Sequence, residues 1–364
     1  MSALLKRITG IAALAACLLM SCGCQVGNEA KDPWQRIDEL FSAWDRDDGP
    51  GCALGVIRNG ELVFAKGYGM ADLKKMQAIT IDSIFDIAST SKQFTAMCIA
   101  ILEEEGKLHI EDDVRAYIPE LPQYDKIIRI RHLLHHTSGL ADYLHWATAA
   151  DTEASILQKF RGQPLTHEVG QKYEYTNTGY LLLGFIVRRV TGRTLRQFAD
   201  ERIFQPLGMS KTFFNDDISA NSAIPFLAIG YWEPNPGHFT EYMPPLNLVG
   251  NSGVNTCVSD LLLWDDNFYH NRLGQGGNAL IERMQTVGTL DDGGPLGTNY
   301  AWGLVIDTYR GRRLVSHGGA FYGYRAQLMR LPDDRISVIL LANQAEFIPD
   351  PLALKVIDIL LENQ

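Results

Sequence analysis

Runs of β-prone residues near both ends of the chain flank a long central region with helical periodicity. Near the N-terminus, two apolar runs meet at Asn59-Gly60 in CALGVIRNGELVFAKGYG, and Asn-Gly is the strongest short signal for a β-hairpin. Near the C-terminus, four more β-prone runs follow one another between residues 300 and 344, joined by turn sequences. We therefore expect strands from both ends of the chain to form one sheet.

Helices complete this pattern at both ends and in the middle. Asp32-Pro33 and Asp350-Pro351 each place an N-capping residue before a proline, which is typical of the first turn of a helix. Residues 90–290 are mostly helical in pattern, with glycines and prolines between the apolar periods. This order predicts an α+β fold, in which an antiparallel β-sheet formed by the N- and C-terminal segments is flanked by helices and carries a mainly helical inserted lobe.

The first residues differ from the rest of the chain. A Lys-Arg pair precedes the apolar run ITGIAALAACLLMS, which is short for a membrane span but has the length of the hydrophobic part of a signal peptide. The sequence LMSC then resembles a bacterial lipobox, in which Cys22 would be lipidated. Cys17 in LAAC is a second candidate, and an uncleaved anchor is a further alternative. We expect a signal peptide at 1–21, a tether at 22–32, a globular domain at 33–364 and a lipid-anchored location in the bacterial cell envelope, facing the periplasm or the outer surface.

The net charge argues against nucleic-acid binding. The full chain carries −10 at pH 7, and removal of residues 1–21 takes away two basic and no acidic residues, which gives −12. An acidic chain without a clustered basic stretch lacks the electrostatic footprint of a nucleic-acid-binding protein. Beyond the leader, Cys52, Cys98 and Cys257 are odd in number and lie in apolar surroundings, so we expect buried thiols rather than disulfides or a metal site.

Ser89 and Lys92 open a segment with strong helical periodicity, IASTSKQFTAMCIAILEEEG. Residues three apart lie on the same side of a helix, and the free amides of its first turn can stabilise an oxyanion. Desolvation and the helix dipole lower the pKa of such a lysine, which could then take the proton from Ser89. Ser91 does not share the side of the helix that carries Ser89 and Lys92. The alternative is an N-capping serine followed by a solvated lysine, because Ser-x-x-Lys often occurs by chance.

Tyr175 and Asn177 lie two residues apart, directly before a strongly apolar helix that is predicted to end before Gly192. In an extended segment, this spacing places both side chains on the same side. A tyrosine can relay a proton to a leaving group, and an asparagine amide can hold a substrate carbonyl. The alternative is that Asn177 caps the helix and Tyr175 packs as an aromatic residue.

His317-Gly318-Gly319 follows a β-prone run in the C-terminal sheet. Glycines within a strand often mark a close approach by a ligand or another segment, and the histidine would face the site. Against such an edge, the amide of Ala320 could complete an oxyanion hole with that of Ser89. A plain Gly-Gly turn is the alternative.

Together, these elements resemble the three signature motifs of the penicillin-recognising serine hydrolases, in the branch that contains class C β-lactamases, family VIII carboxylesterases and D-amino-acid-peptide hydrolases. They are Ser89-Thr90-Ser91-Lys92, Tyr175-Thr176-Asn177 and His317-Gly318-Gly319. Further stretches agree, namely LLHHTSGLADY at 133–143, NSGVNTCVSDLLLW at 251–264 and LMRLPDDRISVILLANQ at 328–344. The resemblance covers residues 35–362 and implies a β-lactamase/transpeptidase-like fold with serine hydrolase activity.

The resemblance also implies a role for each motif residue. Ser89 would be the acylated nucleophile, Lys92 its proton acceptor, and Tyr175 the acid/base that serves the leaving group and the deacylating water. Asn177 would contact the substrate or orient Lys92, and the amides of Ser89 and Ala320 would form the oxyanion hole. Because water attacks the acyl-enzyme in such a mechanism, the resemblance implies no metal and no organic cofactor.

One departure from the family pattern concerns the third motif, which is usually Lys-Thr-Gly where this chain has His317-Gly-Gly. A lysine is a cation suited to the carboxylate of β-lactams and D-Ala-D-Ala ends, whereas a histidine is mostly neutral at pH 7. We therefore expect an esterase or peptidase-like enzyme for a small ester, amide or peptide, rather than a proficient β-lactamase. A β-lactamase or a D-Ala-D-Ala carboxypeptidase is the alternative.

Three interpretations of other kinds have weaker support. An α/β-hydrolase requires a Gly-x-Ser-x-Gly pentapeptide, which the sequence lacks. His132 and His136 have the i, i+4 spacing of zinc ligands, but no glutamate occupies the position that makes a zincin. A non-catalytic envelope binding or regulatory lipoprotein would be favoured by the loss of motif residues, and all of them are present.

Overall fold

The computed structural model describes residues 32–275 and 277–362. The expected signal peptide, Cys17 and Cys22 lie outside this part of the chain. From Pro33 onward, the described residues form one compact unit. Among them, no helix is both long enough and apolar enough to span a membrane. Cys52, Cys98 and Cys257 are free and buried, which confirms the prediction of buried thiols.

The described part of the chain contains thirteen strands and ten α-helices, together with short 3₁₀ and π-helical turns. The strands are β1 (Cys52–Arg58), β2 (Glu61–Tyr68), β3 (Met70–Asp72), β4 (Gln77–Ala78), β5 (Phe85–Asp86), β6 (Phe213–Phe214), β7 (Tyr231–Asn235), β8 (His238–Glu241), β9 (Val254–Thr256), β10 (Val305–Tyr309), β11 (Arg312–Phe321), β12 (Tyr324–Leu331) and β13 (Ile336–Ala342). The helices are α1 (Pro33–Leu40), α2 (Lys92–Glu104), α3 (Ile130–Leu134), α4 (Glu153–Phe160), α5 (Asn177–Thr191), α6 (Leu195–Ala199), α7 (Gln205–Leu207), α8 (Val258–Asn267), α9 (Ala279–Met284) and α10 (Pro349–Leu361).

Strands from both ends of the chain form one antiparallel sheet of six strands, in the order β10-β11-β12-β13-β1-β2. The two ends meet where β1 pairs with β13, with Cys52 opposite Ala342. Asn59 and Gly60 connect β1 to β2 with φ angles of 53° and 83°, and positive φ at both turn positions is typical of a type I′ hairpin. The predicted α+β fold class is thereby confirmed.

The sheet is covered by helices on both faces. On one face, Leu54 and Val56 of β1 share a hydrophobic cluster with residues of α1 and α10. On the other face, Ala53 and Ile57 share a larger cluster with α2 and α8. Because side chains alternate along a strand, this arrangement buries both faces, which explains the nearly continuous apolar character of the central strands.

The central region contains short strands as well as helices. β5, β9 and β6 form a three-stranded sheet, and β7 pairs with β8. Strands of two or three residues are too short to show a period-two pattern, so the sequence does not reveal them. β5 leads directly into the segment that carries Ser89, and β9 begins three residues after Asn251.

The terminal helices differ slightly from the prediction. The spacing of the apolar residues from Trp34 to Trp44 predicts one helix, whereas α1 ends at Leu40 and a separate 3₁₀ turn follows at Ser42–Trp44. α10 begins at Pro349, with Ile348 at the N-cap position and no capping side chain. Asp350 therefore lies within the first turn of α10 rather than before it, because the first proline of the Pro-Asp-Pro sequence already fits the N1 position.

A buried ion pair fixes α8 against the sheet. Arg330 of β12 donates from Nε to Oδ1 of Asp265 on α8 at 2.6 Å, and the Ser337 hydroxyl of β13 donates to the same oxygen at 2.8 Å. The exposed fractions of the Arg330 and Asp265 side chains are 7% and 5%. Each charge therefore depends on the other for its compensation.

We expect Asp265→Ala to lower the free energy of unfolding by about 3–5 kcal/mol, because it leaves the Arg330 charge buried and unpaired. Urea unfolding followed by circular dichroism measures the loss. The double variant Asp265→Leu with Arg330→Met should recover most of it, since an apolar pair of similar volume needs no partner. Asp307→Ala, which removes an exposed carboxylate, serves as the control and should change stability by less than about 0.5 kcal/mol. A loss of the same small size in Asp265→Ala would contradict the role of the pair.

Candidate active site

Ser89 lies in a short turn between β5 and α2. The turn is 3₁₀-helical over Ala88–Ser91, and Ala88 has a φ of 49°, which is unusual for a residue other than glycine. The Asp86 carboxylate accepts a hydrogen bond of 2.7 Å from the Ala88 amide and so supports this backbone. Ser91 accepts from the Val254 amide at 3.0 Å, which occupies it in a structural contact away from the Ser89 hydroxyl.

Lys92 is completely buried at the start of α2, and its amine contacts three groups. Nζ lies 3.0 Å from Ser89 Oγ, 3.0 Å from Asn177 Oδ1 and 2.9 Å from the Asn251 carbonyl oxygen. Burial lowers the pKa of Lys92 to about 7, against a weaker opposing influence from Asp142. A substantial fraction of the amine is therefore neutral at physiological pH, as expected from the sequence.

The contacts of Lys92 determine the direction of its lone pair. Asn177 donates from Nδ2 to the Asp142 carboxylate at 3.0 Å, so its Oδ1 is the atom that faces Lys92. Oδ1 of Asn177 and the carbonyl of Asn251 are both acceptors, and together they use the two N–H bonds of a neutral amine. The lone pair is then left for the third neighbour, the Ser89 hydroxyl. The arrangement is that of a base facing a nucleophile.

Tyr175 completes the group around the Ser89 hydroxyl. Its phenol lines the cleft beside Ser89, and Lys92 Nζ lies 4.9 Å from the centre of its ring. Although 39% of Tyr175 is open to the cleft, its hydroxyl is surrounded by protein, which raises its pKa. Tyr175 therefore keeps its proton at neutral pH and can donate it.

His317 has a neutral ring with a defined tautomer. Its Nδ1 lies 2.7 Å from the Gly318 carbonyl, which can only accept, so Nδ1 carries the hydrogen. Nε2 is then an acceptor, and it lies 3.1 Å from the hydroxyl of Tyr300. Burial lowers the pKa of His317 to about 4, and the nearby Lys92 charge acts in the same direction. His317 thus places no cation in the cleft at neutral pH.

The edge of β11 is uncovered beside this group. β10 pairs with β11 only from Arg312 to Ser316. Residues next to a two-residue hairpin turn form a hydrogen-bonded pair, so Arg312 and every second residue after it direct their amides towards β10. Gly318 and Ala320 belong to this series and lie beyond the end of β10. The amide of Ala320 is therefore available to a substrate, as an oxyanion hole requires.

Gly319 explains why the turn and the strand lie so close together. A Cβ atom at this position would be 2.2 Å from the carbonyl oxygen of Ile87, far inside any real contact. Since Ile87 immediately precedes the turn that carries Ser89, the missing side chain allows the turn to pack against β11. The Gly-Gly pair is thus a close approach of two segments within a strand, and the alternative of a plain turn is wrong.

These residues border a cleft of about 510 Å³. Its lining includes Ser89, Tyr173, Tyr175, Tyr300, Val305, His317, Gly318, Gly319, Ala320, Arg325, Ala326, Phe347, Ile348, Pro349 and Asp350. Lys92 and Asn177 do not line the cleft, but Lys92 Nζ contacts both Ser89 and Asn177. The structure therefore brings all the predicted site residues of the three motifs together. Thr176, not Asn177, caps α5, since its hydroxyl accepts from the Thr178 amide.

Three residues of the site were not predicted as functional. Asp142 orients Asn177, the Asn251 carbonyl accepts from Lys92, and the Tyr300 hydroxyl donates to Nε2 of His317. The first two lie in the stretches LADY and NSG, which the resemblance already included, so that similarity was the available signal. Tyr300 had no signal of its own in the sequence.

His132 and His136 do not share a ligand. His132 Nε2 lies 2.9 Å from Asp291 Oδ1, whereas His136 accepts from the Thr176 amide and packs 4.3 Å from the ring of Tyr175. The helix ends at Leu134, so the two side chains do not lie on one helical face. Within residues 32–275 and 277–362, no group of three or more histidine, cysteine or acidic side chains is placed to hold a metal ion.

The chain is similar to known proteins over most of its length. Residues 37–360 match the family model described as Beta-lactamase. Penicillin-binding protein 4* of Bacillus subtilis (strain 168) is 30% identical over 305 residues, which cover 79% of this chain and 66% of that protein. The D-aminopeptidase of Brucella anthropi is 31% identical over 306 residues, which cover 81% of this chain and 56% of that protein. The chain thus spans about two thirds or less of the length of these relatives.

Among solved structures, the octameric penicillin-binding protein homologue from Pyrococcus abyssi superposes with a TM-score of 0.78 at 25% identity. The superposition covers 91% of this chain and 77% of that chain. The similarity therefore extends over nearly the whole described part of the molecule, including both the sheet and the helical region.

We expect the reaction of Ser89 with a fluorophosphonate to follow the ionisation of Lys92. Protonation removes the lone pair that faces Ser89, so the labelling rate should fall about tenfold per unit below pH 7 and reach a plateau above it. Timed labelling read by mass spectrometry between pH 5 and pH 9 measures the profile. A rate that is constant over this range, or that still rises steeply at pH 9, would contradict the assignment.

Variants provide the controls for this profile. Ser89→Ala should not be labelled, whereas Ser91→Ala should be, because the two hydroxyls face different groups. Lys92→Ala should react about 100-fold or more slowly at pH 8, with an unchanged circular dichroism spectrum.

Proposed function

Since the chain belongs to the beta-lactamase family, we propose that it is a serine hydrolase that cleaves an ester or amide through an acyl-enzyme on Ser89. The observation that supports this most strongly is the buried amine of Lys92, whose two N–H bonds are used by fixed acceptors while its lone pair faces Ser89. A merely structural lysine would not need a deep burial that destabilises its charge.

In the acylation step, the Ser89 hydroxyl transfers its proton to Nζ of neutral Lys92 as Oγ bonds to the substrate carbonyl carbon. The carbonyl electron pair moves onto the oxygen, and the amides of Ser89 and Ala320 stabilise the negative charge. Lys92 becomes an ammonium group that already faces the two acceptor oxygens of Asn177 and Asn251. The charge is therefore formed where it is best compensated.

The intermediate then collapses and the bond to the leaving group breaks. Tyr175 donates its proton to the leaving group, and the proton held by Lys92 restores the phenol. In deacylation, a water molecule gives a proton to this same pair of groups and attacks the acyl carbon. Ser89 recovers its proton as the acid product leaves, so the cycle closes without a further reactant.

The neutral ring of His317 favours an esterase or peptidase-like activity over proficient β-lactam hydrolysis. At this position the chain offers a hydrogen-bonding imidazole with a pKa of about 4 instead of a lysine cation. A substrate carboxylate would gain no charge compensation from it at neutral pH. A β-lactamase or D-Ala-D-Ala carboxypeptidase remains the first alternative, in view of the relative named penicillin-binding protein, and a non-catalytic envelope protein the second.

We expect short-chain p-nitrophenyl esters to be hydrolysed with a higher kcat/KM than nitrocefin, because no lysine cation binds the β-lactam carboxylate. Parallel assays of the ester, nitrocefin and a peptide ending in D-Ala-D-Ala measure the ranking, with Ser89→Ala as the inactive control. Efficient nitrocefin turnover without ester hydrolysis would reverse the ranking. Absence of turnover and of Ser89 labelling would favour the non-catalytic alternative.

We also propose that the mature protein is anchored to the membrane through a lipid on Cys22. What supports the anchor is the sequence alone, namely the apolar leader followed by LMSC and then by the short polar tether that precedes α1. In bacteria, Cys22→Ser should release the protein from the membrane fraction and stop incorporation of labelled palmitate. Cys17→Ser should leave both unchanged. Incorporation that persists in Cys22→Ser would contradict the proposed site.

A further inference from the structure

Asp350 is a carboxylate in the cleft without a cationic partner. It lies in the first turn of α10 and is exposed to the cleft. In the described part of the chain, no lysine or arginine nitrogen approaches Asp350 within 4.0 Å. Arg325 lines the same cleft, but its Nη1 donates to the carbonyls of Tyr322 and Tyr324 at 2.9 and 2.7 Å. Partial desolvation without a compensating cation raises the pKa of Asp350.

A second acceptor beside Asp350 is also unused. Gln327 is only 2% exposed, and its Oε1 has no hydrogen-bond partner, whereas its Nε2 contacts the Leu328 carbonyl at 3.5 Å. A buried amide oxygen without a donor carries a desolvation penalty that a bound donor would remove. Gln327 Oε1 and the Asp350 carboxylate thus both lack a hydrogen-bond donor. For Asp350, the best donor would be positively charged.

Because Gly318 has no side chain, Gln327 Oε1 packs directly against it, with Asp350 Oδ1 close by. A Cβ atom at this position would lie 2.7 Å from Gln327 Oε1 and 3.8 Å from Asp350 Oδ1, and the carbonyl oxygen of Ala326 is also 3.8 Å away. The three atoms nearest to this side of Gly318 are therefore all oxygens, and both Gly318 and Asp350 line the cleft. An anion would be repelled there, and a neutral group would leave the carboxylate uncompensated.

We propose that Gln327 Oε1 and the Asp350 carboxylate form a subsite for a protonated amine of the substrate. This inference rests on the proposed function and specifies its substrate class. Gly318 is two residues from Ala320, so the subsite lies about 6–7 Å along β11 from the oxyanion position. The ring of Tyr175, the donor to the leaving group, lies 6.4 Å from that of His317, so the direction along β11 from Ala320 to Gly318 leads towards the leaving group. Since Gly318 faces the other side of the sheet from His317, the substrate would reach the subsite around the free edge of β11. The amine therefore belongs to the leaving group, several bonds from the scissile one.

A matched pair of esters tests the subsite. The butyrate esters of 4-aminobutan-1-ol and pentan-1-ol have leaving groups of equal length that differ in a terminal ammonium and a methyl group. Release of butyrate at pH 7.5, corrected for the rate without enzyme, gives kcat/KM for each. We expect the wild type to prefer the aminobutyl ester by about tenfold, which is the effect of one charge-assisted hydrogen bond.

Charge variants assign that preference to Asp350. In Asp350→Asn the ratio of the two kcat/KM values should fall close to one, and in Asp350→Lys it should fall below one. Asp307→Asn, which removes one exposed carboxylate on β10, is the matched control and should retain the wild-type ratio. A thermal melt of each variant confirms that it is folded.

The possible outcomes separate this inference from the proposed function. Hydrolysis of both esters at equal kcat/KM, or a preference that Asp350→Asn and Asp350→Lys retain, would overturn the amine subsite while leaving the serine hydrolase intact. If neither ester is hydrolysed and Ser89 is not labelled by a fluorophosphonate, the proposed function itself is wrong and the subsite falls with it. The subsite is supported only if the preference for the aminobutyl ester disappears in both Asp350 variants and is retained in Asp307→Asn.

Discussion

The contact between the buried amine of Lys92 and the Ser89 hydroxyl is the interaction on which the rest of the site depends. Burying an amine is costly unless the amine is neutral or its charge is compensated. Here burial favours the neutral form of Lys92, and two fixed oxygens accept hydrogen bonds from its Nζ. Asn177 comes from α5 and Asn251 from the loop before β9, so the amine connects three separate parts of the chain. The same burial that costs stability provides a base at neutral pH, which is a common compromise in active sites.

The large sheet supplies the other half of the site. Because β10 is short, the end of β11 has free amides beside Ser89, while the pairing of β1 with β13 anchors the sheet between two helical layers. The site therefore combines a rigid strand edge with a helix N-terminus, and both are parts of the packed core rather than mobile loops. Rigid placement is what electrostatic stabilisation of an oxyanion requires.

Much of this arrangement was predictable from the sequence where the signals are local. The Asn59-Gly60 hairpin and the apolar helix that ends before Gly192 follow from turn chemistry and periodicity, and the structure confirms both. The pairing of Ser89 with Lys92 was also predictable, because the two residues lie three positions apart in a helical segment. Its significance, however, depended on two distant motifs, which only the resemblance to a family connected.

What the sequence could not reveal depends on contacts between distant segments. Asn251 holds Lys92 with its backbone carbonyl, a group that every residue possesses, so no residue type marks the role. The low pKa of His317 follows from its burial in the assembled site near Lys92, and its Nε2 accepts from the hydroxyl of Tyr300, which lies 17 residues earlier, before β10. The acceptor oxygens near Gly318 become a pair only when α10 packs beside β12.

A measurement of the Lys92 pKa tests most directly whether this lysine is a neutral base at physiological pH. Protein labelled with ¹³C at the lysine Cε positions can be titrated by NMR from pH 5 to pH 11, and Lys92→Met identifies the resonance. We expect one lysine resonance to titrate with a midpoint near 7 and to be absent from the Lys92→Met spectrum. If every lysine in the wild type titrates near the ordinary value of about 10.4, Lys92 is not the neutral base described here.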